Sequence, residues 1–154
     1  LAAIRAAIAG KIAAVPGVGQ VHKYERFARA EKEFRALYES TGKILGWNVR
    51  RVSKIEVSDA AGLRCITNKW GIKGFSGMDD AAESELIFDG LIEDIGDAFR
   101  RDVTLGGVVD STVIDHPDVA GIQVEDSGPV MFAGVLCHSA RLALYTRHYI
   151  LEDA

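Results

Sequence analysis

Apolar residues along this chain change period several times, and each change marks an element. Ile4, Ile8, Ile12 and Val15 recur at intervals of four, four and three. That spacing places them on one face of a helix over residues 2–15, which Pro16-Gly17-Val18-Gly19 stops. Residues 20–27 read as a short strand. A short helix follows over 29–39, with Phe34, Leu37 and Tyr38 on a shared face. Period two then takes over at 45–58, through Leu45, Trp47, Val49, Val52, Ile55 and Val57. The alternation slips near Arg51-Val52, which predicts a bulge. Asp59-Ala60-Ala61-Gly62 is the expected turn, and 63–74 the return strand, carrying Leu63, Cys65, Thr67, Trp70 and Ile72. Each arm reaches roughly 40 Å at about 3.3 Å per residue. Strands in small domains are usually shorter, so this hairpin is expected to protrude beyond its own core.

Residues 79–101 carry the clearest helical pattern, with Ile87, Leu91, Ile95 and Phe99 at intervals of four. Asp80-Ala81-Ala82-Glu83 resembles a capping box with Asp80 as the N-cap. Acids crowd the start and Arg100-Arg101 close the end, the order the helix dipole favours. A loop with a short strand at 108–114 fills 102–118. A last hairpin is expected from a strand at 120–126, a turn at Ser127-Gly128-Pro129 and a strand from Val130. As one straight strand, 130–150 would span about 70 Å, far more than a domain with a radius of gyration of about 15 Å can hold. It is expected either to bend near Ser139-Ala140 or to offer an arm to something else. The fold class is therefore α+β: a mainly antiparallel sheet with a long hairpin, flanked by an N-terminal helix and a central amphipathic helix, in one domain over 1–154.

Composition changes this picture little. The chain is 48% hydrophobic and 26% charged with a net charge of -4, an ordinary globular balance that announces neither nucleic acid nor an acidic membrane surface. No apolar run approaches 18 residues, so no spanning helix is expected. The Ala-rich start is broken by Arg5 and Lys11, and reads as an amphipathic helix rather than a secretory signal. Cys65 and Cys137 read as small buried residues in a reducing compartment.

Catalytic and metal patterns fail one by one. No two of His22, His116, His138 and His148 share helical ligand spacing, and no CxxC occurs, so no metal site is expected. Gly74-Phe75-Ser76-Gly77-Met78 superficially resembles a nucleophile elbow, but Met78 stands where glycine is required and no parallel α/β pattern surrounds it. His138-Ser139 are strand neighbours, and point to opposite faces. Gly17-Val18-Gly19 precedes a strand rather than a helix, and cannot cradle a phosphate at a helix start. Asp110, Asp115, Asp118, Glu125 and Asp126 match no calcium loop. No cofactor and no catalytic residue is expected.

Charge segregation is the feature that stands out. Residues 45–75 hold Arg50, Arg51, Lys54, Arg64, Lys69 and Lys73 against Glu56 and Asp59, whereas 79–97 hold eight acids and no basic residue. The bland reading is two solvated faces, paired within one subunit. The sharper one sets Lys54, Arg64, Lys69 and Lys73 of one copy against Glu85, Asp89, Glu93 and Asp97 of the next. Such a contact is heterologous, and closes into a ring by repeated rotation.

The order of elements resembles that of the tail-terminator, or tail-completion, proteins of long-tailed bacteriophages. The local text "IRAAIAGKIAAVPGVGQVHKYERF", "ESELIFDGLIEDIGDAFRRDVTLGG" and "GVLCHSARLALYTRHYIL" is similar to the Mu-like and related branches of that group. These are packing patterns, not catalytic signatures. The resemblance implies a virion protein of the tail and neck, assembled in the host cytoplasm as a six-fold homo-oligomeric ring. It would bind the tail tube protein, end tube polymerisation and present a surface to a head-tail connector or stopper protein. DNA would at most pass through its lumen, without sequence-specific binding, and no membrane is involved. The rival readings are another connector or neck protein, a small enzyme, and a nucleic-acid-binding module that uses the basic hairpin.

Overall fold

The computed structural model describes residues 1–26, 28, 30–40, 42–59 and 62–152. It is an α+β fold. Helix α1 (Ala2–Ala13) leads to β1 (Gln20–His22), α2 (Glu31–Tyr38) and β2 (Glu39–Ser40). The hairpin of β3 (Lys43–Ser58) and β4 (Leu63–Gly77) follows, then α3 (Ser84–Arg100). The chain ends in β5 (Val113–Ile114), β6 (Val119–Ala120), β7 (Gln123–Phe132) and β8 (Val135–Leu151). The main sheet runs β1-β3-β4-β8-β7, with β2 also paired to β3. Its pairs are antiparallel except β1 with β3, which touch only over Gly46–Asn48.

Strand alternation sorts the side chains onto two faces. Trp47, Val49, Trp70, Ile72, Ala140, Leu142 and Leu144 meet Ile4, Ile8 and Ile12 of α1, and Phe88, Leu91, Ile92, Ile95 and Phe99 of α3. Both helices thus lie on one face, hereafter the helix face. The two tryptophans anchor it and still satisfy their polar atoms: Trp47 Nε1 donates to the Val18 carbonyl at 2.9 Å, and Trp70 Nε1 to Thr146 Oγ1 at 3.0 Å. Helix α2 covers only one end of the opposite face. There Phe34 and Tyr38 pack on Ile44, Phe75 and Cys137. Asn48, also buried, donates from Nδ2 to the Tyr38 hydroxyl at 2.9 Å.

Several boundaries differ from the sequence reading. The expected strand over 20–27 stops at His22, and the helix over 29–39 begins at Glu31; Phe27 and Arg29 lie outside the described residues. So do Ala60 and Ala61 of the expected turn. The bulge falls where it was expected, between Arg51 and Ser53. Asp80 is not the N-cap of α3. Asp79 accepts the Ala82 amide at 3.3 Å and caps a short 3-10 turn, and α3 starts at Ser84 after Glu83 adopts φ +56°. Ile87 stands off the core at 66% exposure, and Phe88 takes the buried position instead. The last hairpin turns at Ala133-Gly134, both at positive φ, and β7 runs straight through Ser127-Gly128-Pro129. Strand β8 keeps an unbroken register through Ser139-Ala140 and is no free arm. All of Cys137–Leu151 pairs with β4, whose own length absorbs it.

Candidate functional site

The hairpin outruns its cover. From Arg50 to Ser58 every residue of β3 is exposed, because β1 ends beside Asn48 and, among the described residues, no other strand pairs with this edge beyond it. The register splits the sequence-predicted cations between the two faces. Lys54 sits opposite Asn68, and Arg64 lies six residues before Trp70 on β4, so both project from the helix face near the tip. Arg51, opposite Trp70, joins them. Lys69 and Lys73 project from the other face.

Each of the four predicted cations has an acid in its own chain. Lys54 Nζ lies 3.1 Å from Glu56, and Arg64 reaches the same Glu56 at 3.8 Å and Glu152 at 2.8 Å. Lys69 meets Glu125 at 2.9 Å, a hydrogen bond that holds its ammonium above the usual value. Lys73 and Arg50 both lie 3.4 Å from Glu25. Lys69, Lys73, Arg50 and Arg141 with Glu25 and Glu125 line a groove of 290 Å³ above Gly71. Arg51 forms no ion pair among the described residues.

The acids of α3 are placed differently. Glu85, Asp89 and Glu93 stand at intervals of four on an exposed stripe, and none has an ion-pair partner among the described residues. Asp97 is held by Arg100. Glu85 and Asp89 line a cleft of 470 Å³ whose other wall is Ser127-Gly128-Pro129 of β7. Within one copy the predicted cations and acids do not pair with each other. The tip cations and the α3 stripe share a face of the sheet, with the stripe on the β7 side and the cations at the β3 edge.

The fold also joins two residues that sequence reading kept apart. Ser84 Oγ lies 2.8 Å from His138 Nε2 and accepts the Asp79 amide at 2.8 Å. Their separation of 54 residues leaves no local signal. The pair lacks the rest of an acyl-transfer site. No hydrogen bond orients His138 through Nδ1 among the described residues, and Asp80, Glu83, Glu85 and Asp89 around the cleft oppose the negative charge of an oxyanion. What the pair does is tie the start of α3 to β8. Both cysteines are free, and among the described residues no group of three or more His, Cys, Asp or Glu is placed to hold a metal. Among the described residues no helix is long and apolar enough to cross a membrane. Compared with known protein families and with curated proteins, the chain matches no family model and no relative.

Proposed function

We propose that this protein is a structural subunit of phage tail assembly: it forms a ring on the end of the tail tube, stops tube polymerisation and offers the head-side connector its attachment surface. The observation that carries the reading is the segregation of charge on an elongated sheet. A protruding basic tip and an unneutralised acidic stripe occupy opposite flanks of one face, as the two different lateral surfaces of a ring subunit must. The order of elements and the three stretches of local text, which resemble tail terminators, support reading that ring as part of a tail. Lys54 and Arg64 are the cations available to a neighbour, because exposed pairs such as those with Glu56 are weakly held and readily exchanged. Lys69 and Lys73 serve their own chain, against Glu125 and Glu25.

The test is electron microscopy of the purified chain over a concentration series, alone and with tail tubes, with mass from light scattering. Six chains of 16.6 kDa give rings of about 100 kDa, and these should cap tube ends and stop their growth. A chain that stays monomeric and ignores tubes would sink the reading.

A further inference from the structure

We infer that neighbouring copies join by continuing the sheet: the bare edge of β3, Arg50–Ser58, adds in antiparallel fashion to the bare edge of β7 in the next copy. This inference rests on the ring reading above, and specifies its contact.

Three observations carry it. The first is that the main sheet has an open edge at each end. Strand β7 has β8 on one side and no strand on the other among the described residues, and β3 is equally bare beyond Asn48. Both stretches are about ten residues long, and rows of unpaired amides and carbonyls are templates for another strand. Direction is the second. Successive antiparallel pairing from β3 through β4 and β8 makes β7 run opposite to β3. A copy set beside its neighbour in the same orientation therefore meets it as an antiparallel pair.

The third observation is charge. Strand β7 carries Glu125 and Asp126 and no basic residue, whereas the β3 edge carries Arg50, Arg51 and Lys54 against Glu56. Sheet continuation also preserves the faces. The incoming Arg51, Lys54 and Arg64 would project from the side on which α3 of the receiving copy stands. Arg51 and Lys54, on the joining strand itself, would enter the cleft between β7 and α3, where Glu85 and Asp89 have no ion-pair partner among the described residues. Gln123 is level with Arg50 across the sheet, through Ala143 and Gly71. The bare β3 edge runs from that level towards the tip, and β7 runs away from it. Pairing thus requires a stagger along the strands, the same shear that closed β-structures use. Pro129 lacks a donor and limits the ladder at one position.

Hydrogen–deuterium exchange separates this contact from others. Mass is measured first on the unmodified chain, to define dilute monomer and concentrated assembly. In the assembly, amides of both Arg50–Ser58 and Gln123–Phe132 should slow by roughly tenfold or more relative to the monomer. A charge-swap pair gives the second readout. Chains with Arg51→Glu and Lys54→Glu, and chains with Glu85→Lys and Asp89→Lys, should each assemble poorly alone and assemble together when mixed, both retaining the monomer's circular dichroism. An assembly whose two edges exchange as in the monomer, or whose swapped chains fail to rescue each other, overturns sheet continuation and leaves the ring reading standing. A chain that never assembles, with or without tubes, overturns both.

Discussion

At the scale of single residues, the core leaves little tolerance where one ring fills another residue's place. Trp47 lies flat across Gly74, so a Cβ built at residue 74 would sit 2.2 Å from the indole. Gly74→Ala must push a fully buried tryptophan out of place. It should lower stability by about 1–3 kcal/mol, as overpacked cores do, seen as a shifted denaturant midpoint with an unchanged slope. Cys137 supplies a pH dependence. Its side chain is fully buried, and burial pushes the thiol from 9.0 up to about 11. The folded state disfavours the thiolate, so this contribution is complete below pH 9 and is lost as pH rises through 11. Its full size is about 2–3 kcal/mol. Cys137→Ala should flatten the alkaline limb of a stability–pH curve between those values, though it costs some packing at neutral pH. An alkaline limb that is the same in both chains would contradict the assignment.

At the scale of elements, the β7–β8 hairpin offers a direct test of turn chemistry. Its two-residue turn places Ala133 at φ +50° and Gly134 at φ +80°, the left-handed pair that favours Asn-Gly. Ala133→Asn should raise stability by about 0.5–1 kcal/mol, read as a higher melting temperature with an unaltered spectrum. This element also marks the limit of what was legible in the sequence. Ser127-Gly128-Pro129 reads as a turn by composition, yet it lies within an edge strand, where Pro and Gly are tolerated. The true turn, Ala133-Gly134, carries only half of its usual signature. Helix α1 and the β3–β4 hairpin were legible because their periods are long and uninterrupted, and the slip at Arg51-Val52 even located the bulge. Helix α3 starts five residues later than the pattern predicts, because Asp79 caps a separate 3-10 turn over Asp80–Ala82 and the helix begins only after Glu83 takes a positive φ. Of the partners of the site residues, only Glu56 was legible, two positions from Lys54 on one strand face. Glu25, Glu125 and Glu152 are distant in sequence, and which face a cation takes depends on the register across the bulge.

At the scale of the whole molecule, the proposed ring contact has two physical components that respond differently to salt. The cations of the β3 tip and the acids of α3 and β7 are exposed, so their attraction is screened once the Debye length falls from about 10 Å at 0.1 M to about 3 Å at 1 M. Backbone pairing along the β3 and β7 edges, and burial of Val52, Ile55, Val57 and Val124, all about half exposed in the single chain, are not screened in this way. Assembly should therefore weaken with salt without vanishing. Between 0.1 and 1 M, the concentration for half-assembly should rise by about tenfold, or ~1.4 kcal/mol, measured by sedimentation velocity. The same titration on Lys54→Gln should start from weaker assembly and show a shallower slope, because one of the screened charges is already gone. Lys73→Gln, which removes a partner of Glu25 on the opposite face, should leave the slope as it was. Equal slopes in all three chains would mean that the charge segregation along this sheet plays no part in holding copies together.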